Sequence, residues 1–319
     1  MPLIAGDQRA QTSISVFIGA FLFSIVGIIG LSVGIYSEAG RLFLFVVTLG
    51  VVVLVVTSLI RWIGQISAIG RVGYTISAVE TATRGAIETM AEFPFLGGQR
   101  LEGEPAGEPI PAPHSGYVQH CDLPGLQKLA EEHDLQINVM ARPGTYATPV
   151  KPLMLVEGAA DEELRERLSA CFVLGENRTF DSDPRFGMIV LGEIGDKAMS
   201  AGINDPGTGI VVIDTATRLL VEWTEEPVEV RHDRIFVRPI RPADVLEDVY
   251  RPTARDGAAI VEVMIRLMKS LETVAECNPA FTRAAHDFAR VTLRRAEAAM
   301  TLDDDLATLK AVADWIRTD

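Results

Sequence analysis

Residues 11–60 read QTSISVFIGAFLFSIVGIIGLSVGIYSEAGRLFLFVVTLGVVVLVVTSLI, two long apolar runs held apart by Ser37-Glu38-Ala39-Gly40-Arg41. No side chain is charged from Gln11 to Ser37, and none from Leu42 to Ile60. A hydrocarbon core about 30 Å thick takes roughly 20 helical residues to cross. Each run is long enough, and a helix satisfies its own backbone hydrogen bonds in lipid. The short connector permits only a tight reversal. The pattern therefore predicts a transmembrane hairpin over residues 1–61, with spans at about 13–36 and 42–60. A cleaved leader is the alternative for the first run, since Ser37-Glu38-Ala39 has a small-x-small form. That run exceeds the apolar core of a signal peptide, however, and a second span follows it.

The charge is uneven. Net charge is −14. Residues 1–90 hold five Arg (Arg9, Arg41, Arg61, Arg71, Arg84) against Asp7, Glu38, Glu80 and Glu88, which leaves −15 for the rest. An acidic soluble part argues against a nucleic-acid partner and against lying flat on anionic lipid. Arg9 precedes the first span, and Arg61 and Arg71 follow the second. The positive-inside rule then places both termini in the cytoplasm, with the lipid bilayer as the first partner. Three cysteines, Cys121, Cys171 and Cys277, show no close pairing, as expected in a reducing compartment.

Two features point to a homo-oligomer. Gly27, Gly30 and Gly34 form a small-residue face on the first span, which lets another helix approach closely, either within the hairpin or between subunits. Beyond Arg61 the helix is expected to continue as a stem over 62–93. There Ile69, Val72, Ile76, Val79, Thr83, Ala86 and Met90 recur at alternating spacings of three and four. That is a heptad seam, weakened by Gly70, Gly73 and Gly85. It serves either self-association or the cover of the protein's own core.

Residues 94–115 hold Pro94, Pro105, Pro109, Pro111 and Pro113 among glycines and are expected to be a linker without helix or central strand. A small β-rich module is expected over 116–158, with strands at Tyr117–Gln119, Gln136–Ala141 and Pro152–Val156 and a helix at Leu123–His133. Its Pro-Gly turn at Pro143-Gly144 resembles the small β-barrels of biotinyl and lipoyl carriers and of membrane-fusion adaptors. It lacks their cofactor-accepting lysine, so no cofactor is expected. Residues 159–319 are expected to be mainly helical, with helices at 161–173, 183–201 and 206–222, and a hairpin about Arg231-His232-Asp233-Arg234 flanked by Val228, Val230, Ile235 and Val237. Asp256 and Asn278 have the form of N-caps. The fold class is α+β: a membrane hairpin, a stem, a β-rich module and a helical domain on the cytoplasmic side.

The most distinctive soluble stretches are Ser115-Gly116-Tyr117-Val118-Gln119, Phe172-Val173-Leu174-Gly175-Glu176-Asn177-Arg178-Thr179, Asp183-Pro184-Arg185-Phe186-Gly187, and Ser200-Ala201-Gly202-Ile203-Asn204-Asp205-Pro206. In the last, Gly202 is expected to cap one helix, and Asp205 with Pro206 to open the next, giving a sharp corner. These stretches together resemble a bacterial family of predicted integral membrane proteins, domain of unknown function 2254, from the first span to near the C-terminus. The family pattern has four spans before its soluble domain, and this chain matches the later pair, as a short or truncated member. It departs from the pattern at Ala201 and Gly207. The resemblance implies architecture and supplies no chemistry.

No G-x-S-x-G, P-loop lysine or H-E-x-x-H motif is present. The five histidines (His114, His120, His133, His232, His286) lack ligand spacing, and His120 beside Cys121 has no second pair. No catalytic or metal site is therefore expected. The candidates for a small-molecule site are Arg178, Asp183, Asp196, Asn204 and Asp205, which supply a guanidinium and hard oxygen ligands. The competing uses are helix caps for Asp183 and Asp205 and an ion pair for Arg178. Three readings follow: a non-enzymatic, self-associating membrane protein; a channel or transporter part made of several hairpins and lined by Thr12, Ser13, Ser15, Ser24, Ser32, Thr48, Thr57 and Ser58; or an enzyme built on the Arg178 cluster.

Overall fold

Two helices carry the apolar runs in a computed structural model that describes residues 8–33, 37–69, 72–226 and 230–316. They are α1 (Gln8–Ser32) and α2 (Glu38–Ile69). The stretches Ile14–Ser32 and Ala39–Ile60 are long and apolar enough to cross a membrane. Gly27 and Gly30 are the buried positions of α1 among its described side chains, and a Cβ added at Gly27 would lie 3.9 Å from Leu44 Cδ1. The glycine face is thus used inside the hairpin, where missing side chains let α2 come close. Gly34, Gly70 and the side chain of Ile69 lie outside the described residues. The remaining surface of both helices exposes large apolar side chains such as Phe21, Ile28, Leu42 and Phe43.

The chain divides into two compact units between residues 75 and 76. The expected stem is helical where it is described, with α2 running past Arg61 to Ile69 and α3 spanning Val72–Glu92, while residues 70 and 71 lie outside the described residues. Its seam is not a surface. Ile76 and Val79 are 3% and 2% exposed, buried with Ile87 and Met90 in the helical core of the second unit. Of the seam positions proposed for self-association, Val72 alone is exposed among the described side chains, at 47%. A heptad seam buried in its own domain reads in sequence like one that binds a partner.

The expected linker is also corrected. Residues 94–115 contain β1 (Gln99–Arg100) and β2 (Glu108–Pro111). Proline cannot donate to a ladder, so Pro109 and Pro111 are admitted because β2 is an edge strand. Before β1, Phe95, Leu96 and Gly97 run consecutively at φ 53°, 59° and 85°. A left-handed conformation costs a non-glycine residue about 1–2 kcal/mol.

The β-rich segment forms two sheets and not a barrel. Its elements are β3 (Gly116–Cys121), α4 (Leu123–Glu132), β4 (Gln136–Val139), β5 (Tyr146–Ala147) and β6 (Pro152–Glu157). Then follow α5 (Glu162–Ala170) and β7 (Phe172–Gly175), the latter overlapping the end of the helix expected over 161–173. One sheet has the order β5-β3-β7, antiparallel throughout. The other takes β8 (Ile235–Val237) from far downstream, in the order β1-β8-β4-β6-β2. β8 pairs parallel with β1 and β4, so no hairpin about Arg231–Arg234 forms among the described residues, and Val228 lies outside them. Leu126 and Ala130 of α4 are fully buried in one cluster with Ile137, Val139, Ile235 and Val237 of the sheet.

The helical layer comprises α6 (Pro184–Met199), α7 (Pro206–Glu222), α8 (Pro242–Asp256), α9 (Val261–Cys277), α10 (Thr282–Ala299) and α11 (Asp303–Val312). Asp256 ends α8 and does not open a helix. Asn278 likewise does not cap α10. Its buried amide donates to Leu220 O and Trp223 O, both at 2.8 Å, tying the end of α9 to that of α7. Inside the bundle, Ser270 Oγ lies 2.6 Å from Thr217 Oγ1 and 2.7 Å from the Tyr250 hydroxyl. Burial pushes the Tyr250 phenol up to about 12.

Candidate functional site

Three of the four distinctive stretches meet at one junction between the β-layer and the helices. Asp183 caps α6, and its Oδ1 accepts the Phe186 N–H at 3.2 Å, as its position before Pro184 predicts. Arg178, on the loop after β7, donates from Nε to Asp183 Oδ2 at 2.7 Å and from Nη2 to Oδ1 at 2.9 Å. Its guanidinium also lies 5.3 Å from the Phe186 ring centroid. Upstream in the same stretch, Gln119 of β3 donates to Asn177 O at 2.7 Å.

The Arg142-Pro143-Gly144 turn closes over this pair. Gly144 sits at φ +90°, and an added Cβ would lie 2.1 Å from Asp183 Oδ2 and 2.8 Å from Arg178 Nη2. On the turn's other side Arg142 donates to Glu225 Oε1 at 2.5 Å and to Arg238 O at 3.0 Å, while Glu225 Oε2 accepts the Ile240 N–H. One turn of the β-layer is thereby fastened to α6 on one side and to the chain after α7 on the other. Gly187 extends the junction: a Cβ there would fall 1.8 Å from Thr83 Oγ1, so only glycine lets α3 cross α6 at this separation.

Desolvation lifts the buried Asp183 carboxyl above its ordinary value, and the Arg178 hydrogen bonds oppose that rise. Both Asp183 oxygens are engaged by Arg178, which is itself partly buried. Asp196 is elsewhere. It lies 13 residues along α6 from Asp183, about 20 Å at the helical rise. There Arg255 Nη2 donates to it at 2.6 Å, and Asp256 pushes its carboxyl upward. The five expected ligand residues therefore do not form one site.

The fourth stretch forms the predicted corner with one change. α6 ends at Ser200, but the left-handed residue is Asn204, at φ 46°, and not Gly202. Asp205 caps α7, its Oδ1 accepting the Thr208 N–H at 3.0 Å and its Oδ2 the Thr208 hydroxyl at 2.6 Å. Those bonds hold its carboxyl below the ordinary value. The corner is exposed from Ala201 to Asp205.

Among the described residues no group of three His, Cys, Asp or Glu side chains is placed to hold a metal ion. His120 and Cys121 alternate along β3, the first exposed and the second buried. A cleft of about 500 Å³ opens on the five-stranded sheet, and none of the five candidates borders it.

The family model described as "Predicted membrane protein (DUF2254)" matches residues 1–273. Among relatives, the uncharacterized protein Mb1321c of Mycobacterium bovis is 24% identical over 243 residues, covering 72% of this chain and 46% of its own length. The uncharacterized protein Rv1290c of Mycobacterium tuberculosis matches to the same extent. The chain thus spans about half the length of the curated relatives it matches. No solved structure matches.

Proposed function

Because this chain belongs to the DUF2254 family of predicted membrane proteins, we propose that it is a non-enzymatic inner-membrane protein whose hairpin anchors a rigid α+β domain in the cytoplasm. One observation carries this reading. The charged residues that chemistry would draw on, Arg178 and Asp183, are spent on each other as a clamp between layers. Asp196 and Asp205 are engaged separately, by Arg255 and Thr208. The test uses Cys277, the exposed cysteine. A membrane-impermeant maleimide is expected to label it only after cells are permeabilised. Labelling in intact cells overturns the orientation, and recovery of the chain in the soluble fraction without detergent overturns the anchor.

Self-association remains part of the proposal, through a different surface. Gly19 on α1 and Gly50 on α2 have nothing within 4 Å of an added Cβ, which leaves room for a second hairpin. Cross-linking in native membranes is expected to trap a homo-oligomer that Gly19→Leu or Gly50→Leu abolishes. Wild-type protein that stays monomeric removes this part alone. The channel reading has less support. Ser24, Ser32, Thr48 and Thr57 each hydrogen-bond a carbonyl of their own helix, and the side chains of Thr12 and Ser13 lie outside the described residues.

A further inference from the structure

The cleft on the five-stranded sheet is built from the face that α4 does not cover. Alternation along β4 buries Ile137 and Val139 and turns Gln136 and Asn138 to the other side. Register places Phe236 of β8 opposite Asn138, and Glu157 of β6 opposite Gln136. All four residues line the cleft, whose volume of about 500 Å³ falls in the small-ligand range. Asn138 is the decisive group. It is 3% exposed, and its Nδ2 donates to Ala106 O at 2.9 Å and to Glu157 Oε1 at 3.1 Å. Asn138 borders the cleft, and its Oδ1, an acceptor, has no hydrogen-bond partner among the described residues.

The charge of the lining selects the ligand. Glu157, Glu102 and Glu104 stand against Arg100 alone. An anion would meet three carboxylates. A metal ion finds no suitable group of side chains among the described residues. An ammonium group suits the acceptors, donating to Asn138 Oδ1 and to the Glu157 oxygen that Asn138 leaves open. Phe236, beside Asn138 on the same face, offers an aromatic wall to a cation or to an apolar body. We infer that this cleft binds a small organic ammonium compound with an apolar body. The inference rests on the cleft alone and is independent of where the domain is anchored or whether copies associate.

The test uses the full chain in nanodiscs of zwitterionic lipid, with empty nanodiscs as the baseline. Calorimetric titration with benzylamine is compared with benzyl alcohol and benzoate, which share the ring but not the charge. Benzylamine is expected to bind saturably and more tightly than either. Glu157→Gln preserves an acceptor for Asn138 and removes the charge, and should weaken benzylamine about tenfold. Phe236→Leu should weaken it with the thermal transition of the domain retained. Absence of saturable benzylamine binding overturns the proposal. So does equal or tighter binding of benzoate or benzyl alcohol, or an affinity that Glu157→Gln leaves unchanged.

Discussion

Arg178 grips both carboxylate oxygens of Asp183, at 2.7 Å and 2.9 Å, while Asp183 Oδ1 simultaneously caps α6 through the Phe186 N–H. One buried carboxylate thus ends a loop, starts a helix and neutralises a guanidinium. Removing one partner of a buried pair leaves an uncompensated charge and costs about 3–5 kcal/mol. Arg178→Met should destabilise the soluble unit on that scale. Adding Asp183→Asn, which keeps the cap acceptor and removes the charge, should recover much of the loss. Thermal unfolding of the single and double variants measures this, and strictly additive losses would contradict it.

Gly144→Ala tests the turn above the pair. The new Cβ meets Asp183 and Arg178, and the left-handed backbone no longer suits the residue. A loss of about 2–4 kcal/mol is expected. Gly103, at φ +75° with open space around it, separates the two causes. Gly103→Ala should cost only the backbone part, about 1 kcal/mol. The difference in melting temperature between the two variants is the readout.

Gly187→Ala should be more damaging still, because Thr83 Oγ1 and Cβ occupy the needed space. Pairing it with Thr83→Ala should return only part of the stability, since the Cβ of residue 83 would remain 2.7 Å from the new methyl. Full recovery in the double variant would show that the hydroxyl alone sets the α3–α6 separation.

Acid should loosen α3 from α7. Glu80 accepts from Arg218 Nε and Nη2, both at 2.9 Å, and from Arg84. The Arg218 hydrogen bonds, with Arg84 assisting, hold its carboxyl below the ordinary value of 4.5. A group whose folded-state value is the lower stabilises the fold fully above its ordinary value. It loses that contribution as pH falls through the folded one. The melting temperature of the wild type should therefore fall faster below about pH 4.5 than that of Glu80→Gln. Parallel acid limbs for the two proteins would exclude Glu80 as a contributor.

Within the hairpin, Gly27→Leu should drive α1 away from Leu44 and α2, at a cost of about 1–3 kcal/mol. Circular dichroism melts in micelles can read it. Gly19→Leu, with open space at the site, should leave the same melt unchanged while acting on any association between hairpins.

Much of this architecture is legible in the chain because local chemistry decides it. The spans follow from the absence of charge over residues 11–37 and 42–60. The starts of α6 and α7 follow from Asp183-Pro184 and Asp205-Pro206, where a side-chain acceptor precedes a residue with no N–H to satisfy. Where distant partners decide, local signals mislead. Pro109 and Pro111 disguise β2, which is tolerated only because it lies at an edge. The alternation of Ile235 and Val237 announces an extended segment but not its partners, which are β1 and β4 and not a local hairpin arm. Ile76 and Val79 carry a seam pattern that says nothing of which surface it meets. Asn278 resembles a cap, yet its amide reaches back more than fifty residues to Leu220 and Trp223. The ligand candidates lie close together in sequence, but Asp183 and Asp196 stand at opposite ends of one helix. Asn138 carried no motif, and its only forewarning was a polar residue in a strand where alternation gave it the same face as Gln136.

The late arrival of β8 bears on how the chain emerges from the ribosome. β1 has no neighbour in its sheet except β8, and β4 waits on one side for the same strand. More than a hundred residues of translation separate β1 from that partner, by which time the apolar helices have already left the exit tunnel. Throughout that interval the nascent sheet has unsatisfied rims, the condition under which neighbouring chains aggregate. Any break in synthesis before residue 235 strands a product that is tethered yet unable to complete its sheet, a natural substrate for quality-control proteolysis.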